Sequence, residues 1–303
     1  MNLAARSDAP RALVTGVGGF TGHYVAMELE RAGYQVFGTV HGDEARGEGR
    51  FVVDLGDRDG LQRAVVEARP DVVVHLAAIS FVAHGDVEAI YRVNVMGTRN
   101  LLEALALLEQ RPRAILLASS ANVYGNATVD TISESVAPAP ANDYAVSKLA
   151  MEYMARLWMD RLPIIVARPF NYTGIGQTSH FLLPKIVEHF QRRERFIELG
   201  NIDVERDFSD VRLVARTYSR LLERAPLGDV FNVCSGLAYS LKEVLAMMAD
   251  IAGYEIEVRV NPAFVRASDV KRLQGDDSKL KRVVGTLGEI PLKETLRWMY
   301  AGA

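Results

Sequence analysis

The 303-residue chain carries 35 Lys and Arg against 38 Asp and Glu, a net charge of −3, with 49% apolar and 24% charged residues. That mix describes an ordinary globular protein and not a disordered or fibrous one, and it leaves no surplus of positive charge for a nucleic-acid backbone or an anionic membrane. Cys234 is the single cysteine, so an intrachain disulfide is excluded and nothing calls for an oxidising compartment.

The length suits one large α/β domain plus a smaller appendage, or two modest domains. Met1 to Arg11 is charged and has no apolar h-region, and no later segment approaches the roughly 18 uninterrupted apolar residues of a membrane span. A cytoplasmic address is the expectation.

Ala12-Leu13-Val14-Thr15 reads as a strand running into a glycine loop, and helical spacing of Tyr24, Val25, Met27 and Leu29 follows over residues 21–31. Gly33 stops that helix before a second strand, Val36 to Val40, and a third, Phe51 to Val53. Leu61 to Glu67 is predicted helical, Val72 to Leu76 a fully apolar strand, Val93 to Leu108 a long helix, and Ala114 to Ala118 another buried strand. Asn142 to Met159 is again helical and Ile164 to Ala167 a strand.

Strands separated by helices of this length need crossover connections, which predicts an α/β fold of the Rossmann type, a doubly wound parallel sheet. A ligand then lies beyond the carboxyl ends of the strands, where the glycine loop, His75 to Ser80 and Ser119-Ser120 all fall. After Pro169 the pattern loses regularity. The dinucleotide-binding domain is placed at 10–171, with 211–236 returning to the sheet, and a smaller mixed α/β substrate lobe at 172–210 and 237–303.

Gly16, Gly19 and Gly22 lie between a strand and a helix. There glycines allow a tight turn, close backbone approach to a pyrophosphate and close helix–strand packing. Amides around Phe20 and Thr21 then face the anion. A glycine-rich turn alone is more often only a turn, but its context here makes it a dinucleotide cradle. Asp54, beyond the third strand, can accept from an adenine amino group with Leu55 packed nearby, or it can be a helix N-cap. No acid ends the second strand to hold the ribose hydroxyls of NAD, and Asp43 and Glu44 come late. The coenzyme expected is therefore NADP, with NAD possible, and His41 and Arg46 are candidate phosphate partners or solvated loop side chains.

Tyr144 and Lys148, at i and i+4, leave one face of their helix. A free tyrosine, with pKa about 10, is a poor acid–base catalyst at neutral pH; a neighbouring ammonium favours its phenolate. Ser120, at a strand end, can hydrogen-bond a substrate oxygen as charge develops on it. Such a Tyr/Lys pair also arises by chance on exposed helices. Together with Ser120 and the glycine cradle it points to redox chemistry. No metal-ligand spacing competes, so no metal is expected.

These residues resemble the extended short-chain dehydrogenase/reductase family that works on nucleotide sugars. The resemblance runs through Thr15 to Gly22, His75-Leu76-Ala77-Ala78, Asn94 with Gly97-Thr98, Ser119-Ser120 with Val123-Tyr124-Gly125, Tyr144-x-x-x-Lys148 and Arg168-Pro169-Phe170-Asn171. Segments 171–177, 200–203, 206–211 and 232–236 look like the GDP-4-keto-6-deoxymannose reductases and their kin. The related 4,6-dehydratases carry an acid two positions after the catalytic Ser or Thr; here that place is Asn122, and an amide is not a base. Residues 120–124 also look like the equivalent stretch of UDP-hexose 4-epimerases. Where relatives have a Gly-Trp-x-Pro turn this chain has Gly285-Thr286-Leu287-Gly288.

The resemblance implies catalysis by Ser120, Tyr144 and Lys148. It implies cofactor contacts from the glycine loop, Leu76, Ala77, Ala78, Asn94, Tyr144 and Lys148, and substrate contacts from Ser80, Phe81, Asn122, Asn171, Arg206 and Arg266. Arginine forks suit a diphosphate; the alternatives are ion pairs of Arg206 with Asp207 or Asp210, and of Arg266 with Asp269. The activity implied is reduction of the C4 ketone of a GDP-4-keto-6-deoxyhexose to GDP-D-rhamnose. The alternatives are a 6-deoxytalose product, a 4-epimerase retaining NAD, and a non-catalytic dinucleotide sensor. A homodimer through the 93–108 helix and the catalytic helix is expected by the same analogy.

Overall fold

A computed structural model describes residues 9–42, 47–80, 85–262 and 272–302. The chain alternates from its first element: β1 (Arg11–Thr15), α1 (Phe20–Arg31), β2 (Gln35–Val40), β3 (Arg50–Val52), α2 (Arg58–Ala68), β4 (Val72–His75), α3 (Val87–Tyr91), α4 (Thr98–Ala106), β5 (Ala114–Ala118), α5 (Asp143–Arg156) and β6 (Ile164–Pro169). It continues with β7 (Asn171–Thr173), α6 (Leu182–Gln191), β8 (Phe196–Leu199), β9 (Glu205–Asp210), α7 (Val211–Arg224), β10 (Val230–Val233), β11 (Ala238–Ser240), α8 (Leu241–Ala252), β12 (Glu257–Val260), β13 (Arg272–Leu273), α9 (Ser278–Val284) and α10 (Leu292–Ala301).

Seven strands form one sheet in the order β10-β6-β5-β4-β1-β2-β3. The pairings from β3 across to β6 are all parallel. This is the doubly wound Rossmann-type sheet that the alternation predicts. β4 reads Val-Val-Val-His because helices cover both faces of a central parallel strand, so all four residues are buried. Between β1 and β4 the strand order reverses, and at such a switch point the loops leaving the carboxyl ends diverge to open a crevice. Leu13, Val73, Ile115, Leu117 and Val166 of the sheet pack with Leu101 and Leu105 of α4 and Met151 and Ala155 of α5. Truncating a fully buried Leu here to Ala should cost about 2–5 kcal/mol.

Two expectations need correction. The helix predicted over Val93 to Leu108 is not one regular helix: α3 and α4 are joined by a π-helical turn, Arg92–Gly97. A wide turn lets Asn94 point inward and Gly97 approach Leu55, whose Cβ would lie 2.6 Å from any Cβ at 97. Apolar periodicity does not register a single π turn. α5 ends at Arg156, and Asn142 is its N-cap, accepting from the Ala145 N–H.

The chain divides into two compact units. The first holds 1–123, 142–168 and 215–231; the second holds 124–141, 169–214 and 232–303. In the second, β9 pairs with β7 and β13 in parallel and with β11 antiparallel. Its core gathers Ile186 and Phe190 of α6, Val244 and Met248 of α8, and Leu296 and Met299 of α10. Among the described residues no helix is long and apolar enough to cross a membrane.

Candidate active site

β1 delivers the chain into Gly16, whose φ of +70° is left-handed backbone that favours glycine. The Gly16 N–H donates to the Thr39 carbonyl over 3.0 Å and the Gly19 N–H to the Gly16 carbonyl over 3.0 Å, closing a tight turn. A Cβ at Gly22 would stand 2.2 Å from the Gly16 carbonyl oxygen, and one at Gly16 3.0 Å from the Ala77 backbone. Gly19 is the N-cap of α1 and supplies no side chain, and the first turn holds no acid. The positive end of a twelve-residue helix thus meets a loop whose only side chain, Val17, is buried, which fits a pyrophosphate.

Beside it runs a buried polar network. Thr98 Oγ donates to the Asn94 carbonyl (2.7 Å), so it must accept from His75 Nε2 (2.8 Å). His75 Nδ1 then accepts from Thr15 Oγ (2.7 Å), which itself accepts from the N–H groups of Leu76 and Ala77. The hydrogen bonds assign one tautomer, with the proton on Nε2. Burial, with the nearby Lys148 charge second, pushes the His75 pKa down to about 3, so the ring is neutral. Asn94 clamps Ile79 through both of its backbone groups and donates to Ser147 Oγ (3.0 Å), which donates to the Tyr144 carbonyl. The π turn, the loop after β4 and α5 are thereby held in one register.

Lys148 is 6% exposed, and its Nζ donates to the Ala118 carbonyl at 2.8 Å and lies 6.0 Å from the centre of the Tyr144 ring. Burial lowers the Lys148 pKa to about 8, opposed by the Glu152 carboxylate one turn further along α5. Ser120 Oγ accepts from both the main-chain N–H and the side-chain Nδ2 of Asn122, each at 3.1 Å. Arg168 holds Glu152 in a bidentate pair, Nε to Oε1 at 2.9 Å and Nη2 to Oε2 at 2.6 Å, and Ser119 Oγ donates to Oε1 as well. The i,i+4 spacing of Lys148 and Glu152 is visible in the sequence, but nothing local points Glu152 to Arg168 on β6.

The remaining expected residues are spread more widely. Exposed His41 and Asp54 face each other at 3.7 Å at the edge beyond β2 and β3. Asp54 accepts from the Gly56 N–H, and the N-cap of α2 is Asp57, so the capping alternative for Asp54 is wrong. The buried Leu55 offers its carbonyl to Asn100 Nδ2. Ala78 is half-buried, and Ser80 is exposed in the loop after β4. Asp43, Glu44, Arg46, Phe81, Arg266 and Asp269 lie outside the described residues.

In the second unit, Asn171 Nδ2 donates to the Asp207 carbonyl at 3.3 Å, and Arg206 Nη1 donates to the Glu205 carbonyl at 2.9 Å. Both carboxylates expected as alternative ion partners for Arg206 hold other partners among the described residues. Asp210 binds Arg212 and Thr295, and the buried Asp207 accepts from Ser235 N and Oγ, Gly236 N and Gly275 N. Burial raises the Asp207 pKa against these donors.

A glycine cradle at the switch point of a doubly wound sheet, with a Tyr144–Lys148 pair tied to the end of β5 two residues before Ser120, defines a short-chain dehydrogenase/reductase. The chain belongs to the GDP-mannose 4,6-dehydratase family within that class, whose profile matches residues 13–299. A GDP-6-deoxy-D-talose 4-dehydrogenase of Aggregatibacter actinomycetemcomitans is 34% identical over 90% of each chain. A GDP-6-deoxy-D-mannose reductase of Pseudomonas aeruginosa is 35% identical over 95% of each. Among solved structures, a Burkholderia cenocepacia J2315 protein assigned provisionally as an epimerase is 56% identical, with TM-score 0.91 over 96% of this chain and 97% of that one. RMD of Pseudomonas aeruginosa, solved with NADPH, is 33% identical, with TM-score 0.84 over 96% and 97%.

Proposed function

We propose that this chain reduces the C4 ketone of a GDP-4-keto-6-deoxyhexose with NADPH, forming GDP-D-rhamnose. The observation that carries the reading is the buried Lys148–Tyr144 pair beside a Ser120 that is partnered by an amide, where water elimination would need a carboxylate. The residues of the glycine loop, with Leu76, Ala77, Ala78 and Asn94 beside it, would hold the dinucleotide, and NAD is the second choice of coenzyme. When bound, that coenzyme supplies the hydride for C4. Ser120 binds the ketone oxygen, and the Tyr144 hydroxyl gives it a proton as it becomes an alcohol. Lys148 favours the resulting phenolate and binds the ribose next to the nicotinamide. Asn171 and Arg206 are assigned to the sugar nucleotide, with the Arg206 fork suited to the diphosphate.

The relatives named above support this choice of substrate and coenzyme. Purified protein should oxidise NADPH when a GDP-4-keto-6-deoxyhexose is added, with GDP-D-rhamnose identified by NMR; a 6-deoxytalose product would change the stereochemical assignment alone. Tyr144→Phe should lose most of that rate, and undiminished turnover in that variant would overturn the assignment. The 56% identical structure, described as an epimerase, supports a second reading, for which the resemblance of residues 120–124 suggests a 4-epimerase. NAD that stays bound through purification, with no net redox, would favour it.

The proposal includes a homodimer and a cytoplasmic location, where the coenzyme and sugar nucleotides are found. Met96 in the π turn, Leu107 just after α4, Val146 and Tyr153 on α5 and Leu157 just after it are large apolar side chains left exposed, Leu157 at 80%. α4 and α5 pack together, so these side chains support pairing through that helical face. Sedimentation should return a dimer.

A further inference from the structure

Ser120 Oγ is held by two donors from a single residue, the main-chain N–H and the side-chain amide of Asn122. A serine oxygen has two lone-pair positions and one hydrogen. With both lone pairs taken, the hydrogen is what remains to offer. Ser120 is 6% exposed, whereas Asn122 sits on the exposed side of the 3-10 turn Ala121–Tyr124. Asn122 is therefore placed to set the direction of the Ser120 hydrogen bond without being part of the core.

We propose that Asn122 is a positioning residue whose amide makes Ser120 a one-way hydrogen-bond donor toward the substrate ketone oxygen; this rests on the reductase reading given above. A carboxylate at position 122 would accept the serine hydrogen and leave the ketone without its donor. The same geometry bars Ser120 from relaying protons, because a relay must accept on an oxygen whose lone pairs are occupied. The proton that ends on the product oxygen comes from Tyr144.

The test compares wild type with Asn122→Asp and Asn122→Ala, using NADPH and a GDP-4-keto-6-deoxyhexose between pH 5 and 8. At pH 8, Asn122→Asp should lose about 100-fold in kcat, the usual cost of misdirecting an oxyanion donor. The NADPH Kd, read by fluorescence titration, should stay near wild type, and any rise in KM should be smaller than the loss in kcat. As pH falls, the new carboxyl protonates and donates again, so the ratio of variant to wild-type kcat should climb about tenfold toward pH 5, following a carboxyl pKa of about 4. Asn122→Ala keeps the main-chain donor and should lose only about fivefold. A variant-to-wild-type ratio that is flat with pH, or a loss confined to KM, overturns the proposal. A wild type that binds NADPH but leaves the ketone intact defeats the reductase reading instead. The positioning claim is then judged by a stability double-mutant cycle of Ser120→Ala with Asn122→Ala, where zero coupling overturns it and measurable coupling supports it.

Discussion

The Lys148 ammonium donates to the Ala118 carbonyl across 2.8 Å, tying the middle of α5 to the last residue of β5, two positions before Ser120. Because the lysine is buried, this contact does not hold it at its ordinary pKa; it titrates at about 8. Charge on Lys148 is full below that value and is lost as pH rises through it. If the ammonium supports Tyr144, kcat/KM falls above pH 8 by about tenfold per pH unit. Lys148→Arg keeps its charge, so its alkaline limb should move upward even if the rate is lower. A wild-type profile flat to pH 10 would show that Lys148 does not govern the reaction.

His75 makes stability depend on acid. Its folded pKa of about 3 lies below the ordinary 6.5, so between those values the unfolded chain binds a proton that the folded one refuses. Stability is full above about pH 6.5 and is lost as pH falls, by at most about 1.4 kcal/mol per pH unit from this one group. His75→Gln should be less stable than wild type at pH 7 and yet lose stability less steeply toward pH 5. Urea unfolding at several pH values measures both slopes, and parallel lines would exclude His75 as the cause.

Gly22 and Gly19 should differ as sites for alanine. A Cβ at 22 meets backbone, the Gly16 carbonyl at 2.2 Å and the Val17 Cα at 2.7 Å, and neither can swing away; at Gly19 the nearest atom is 3.3 Å off. Gly22→Ala is expected to cost about 1–3 kcal/mol and at least tenfold in NADPH affinity, and Gly19→Ala less of both. Fluorescence titration of NADPH beside thermal melts reads the order.

Asp207 gathers donors from Ser235, Gly236 and Gly275 while its own carbonyl receives Asn171. Asp207→Ala leaves the buried Gly275 N–H and the half-buried Ser235 and Gly236 N–H groups without their acceptor, which should cost about 3 kcal/mol. The same variant should raise KM for the sugar nucleotide more than it lowers kcat, since Arg206 adjoins the side chain that ties β9 to Ser235, Gly236 and Gly275, while the main-chain carbonyl that receives Asn171 is kept. Steady-state kinetics at a temperature where the variant is folded separates the two.

Legibility in the sequence followed range. The alternation of strands and helices, the Gly16 loop and the Tyr144/Lys148 pair were all readable, since each is written within a few residues: a 2.0 or 3.6 period, a run of glycines, an i,i+4 spacing. Asn94 was picked out by resemblance, but the π turn that carries it was not, because one extra residue in a helical turn leaves the apolar pattern nearly unchanged. The capping alternative for Asp54 failed by three positions, a small error in sequence that moves the carboxylate from a helix end into a loop.

From sequence alone came the sheet, the cradle and the i,i+4 placement of Tyr144 and Lys148 on one helix, since local periodicity and steric permission decide these. Tertiary structure alone decided the charge states and hydrogen-bond directions. The tautomer of His75 depends on Thr15, 60 residues away; the depressed pKa of Lys148 depends on burial; and the Arg168–Glu152 pair and the loading of Asp207 depend on strands that meet only after folding. Desolvation and donor counting are properties of an assembled neighbourhood, and no stretch of sequence contains that neighbourhood.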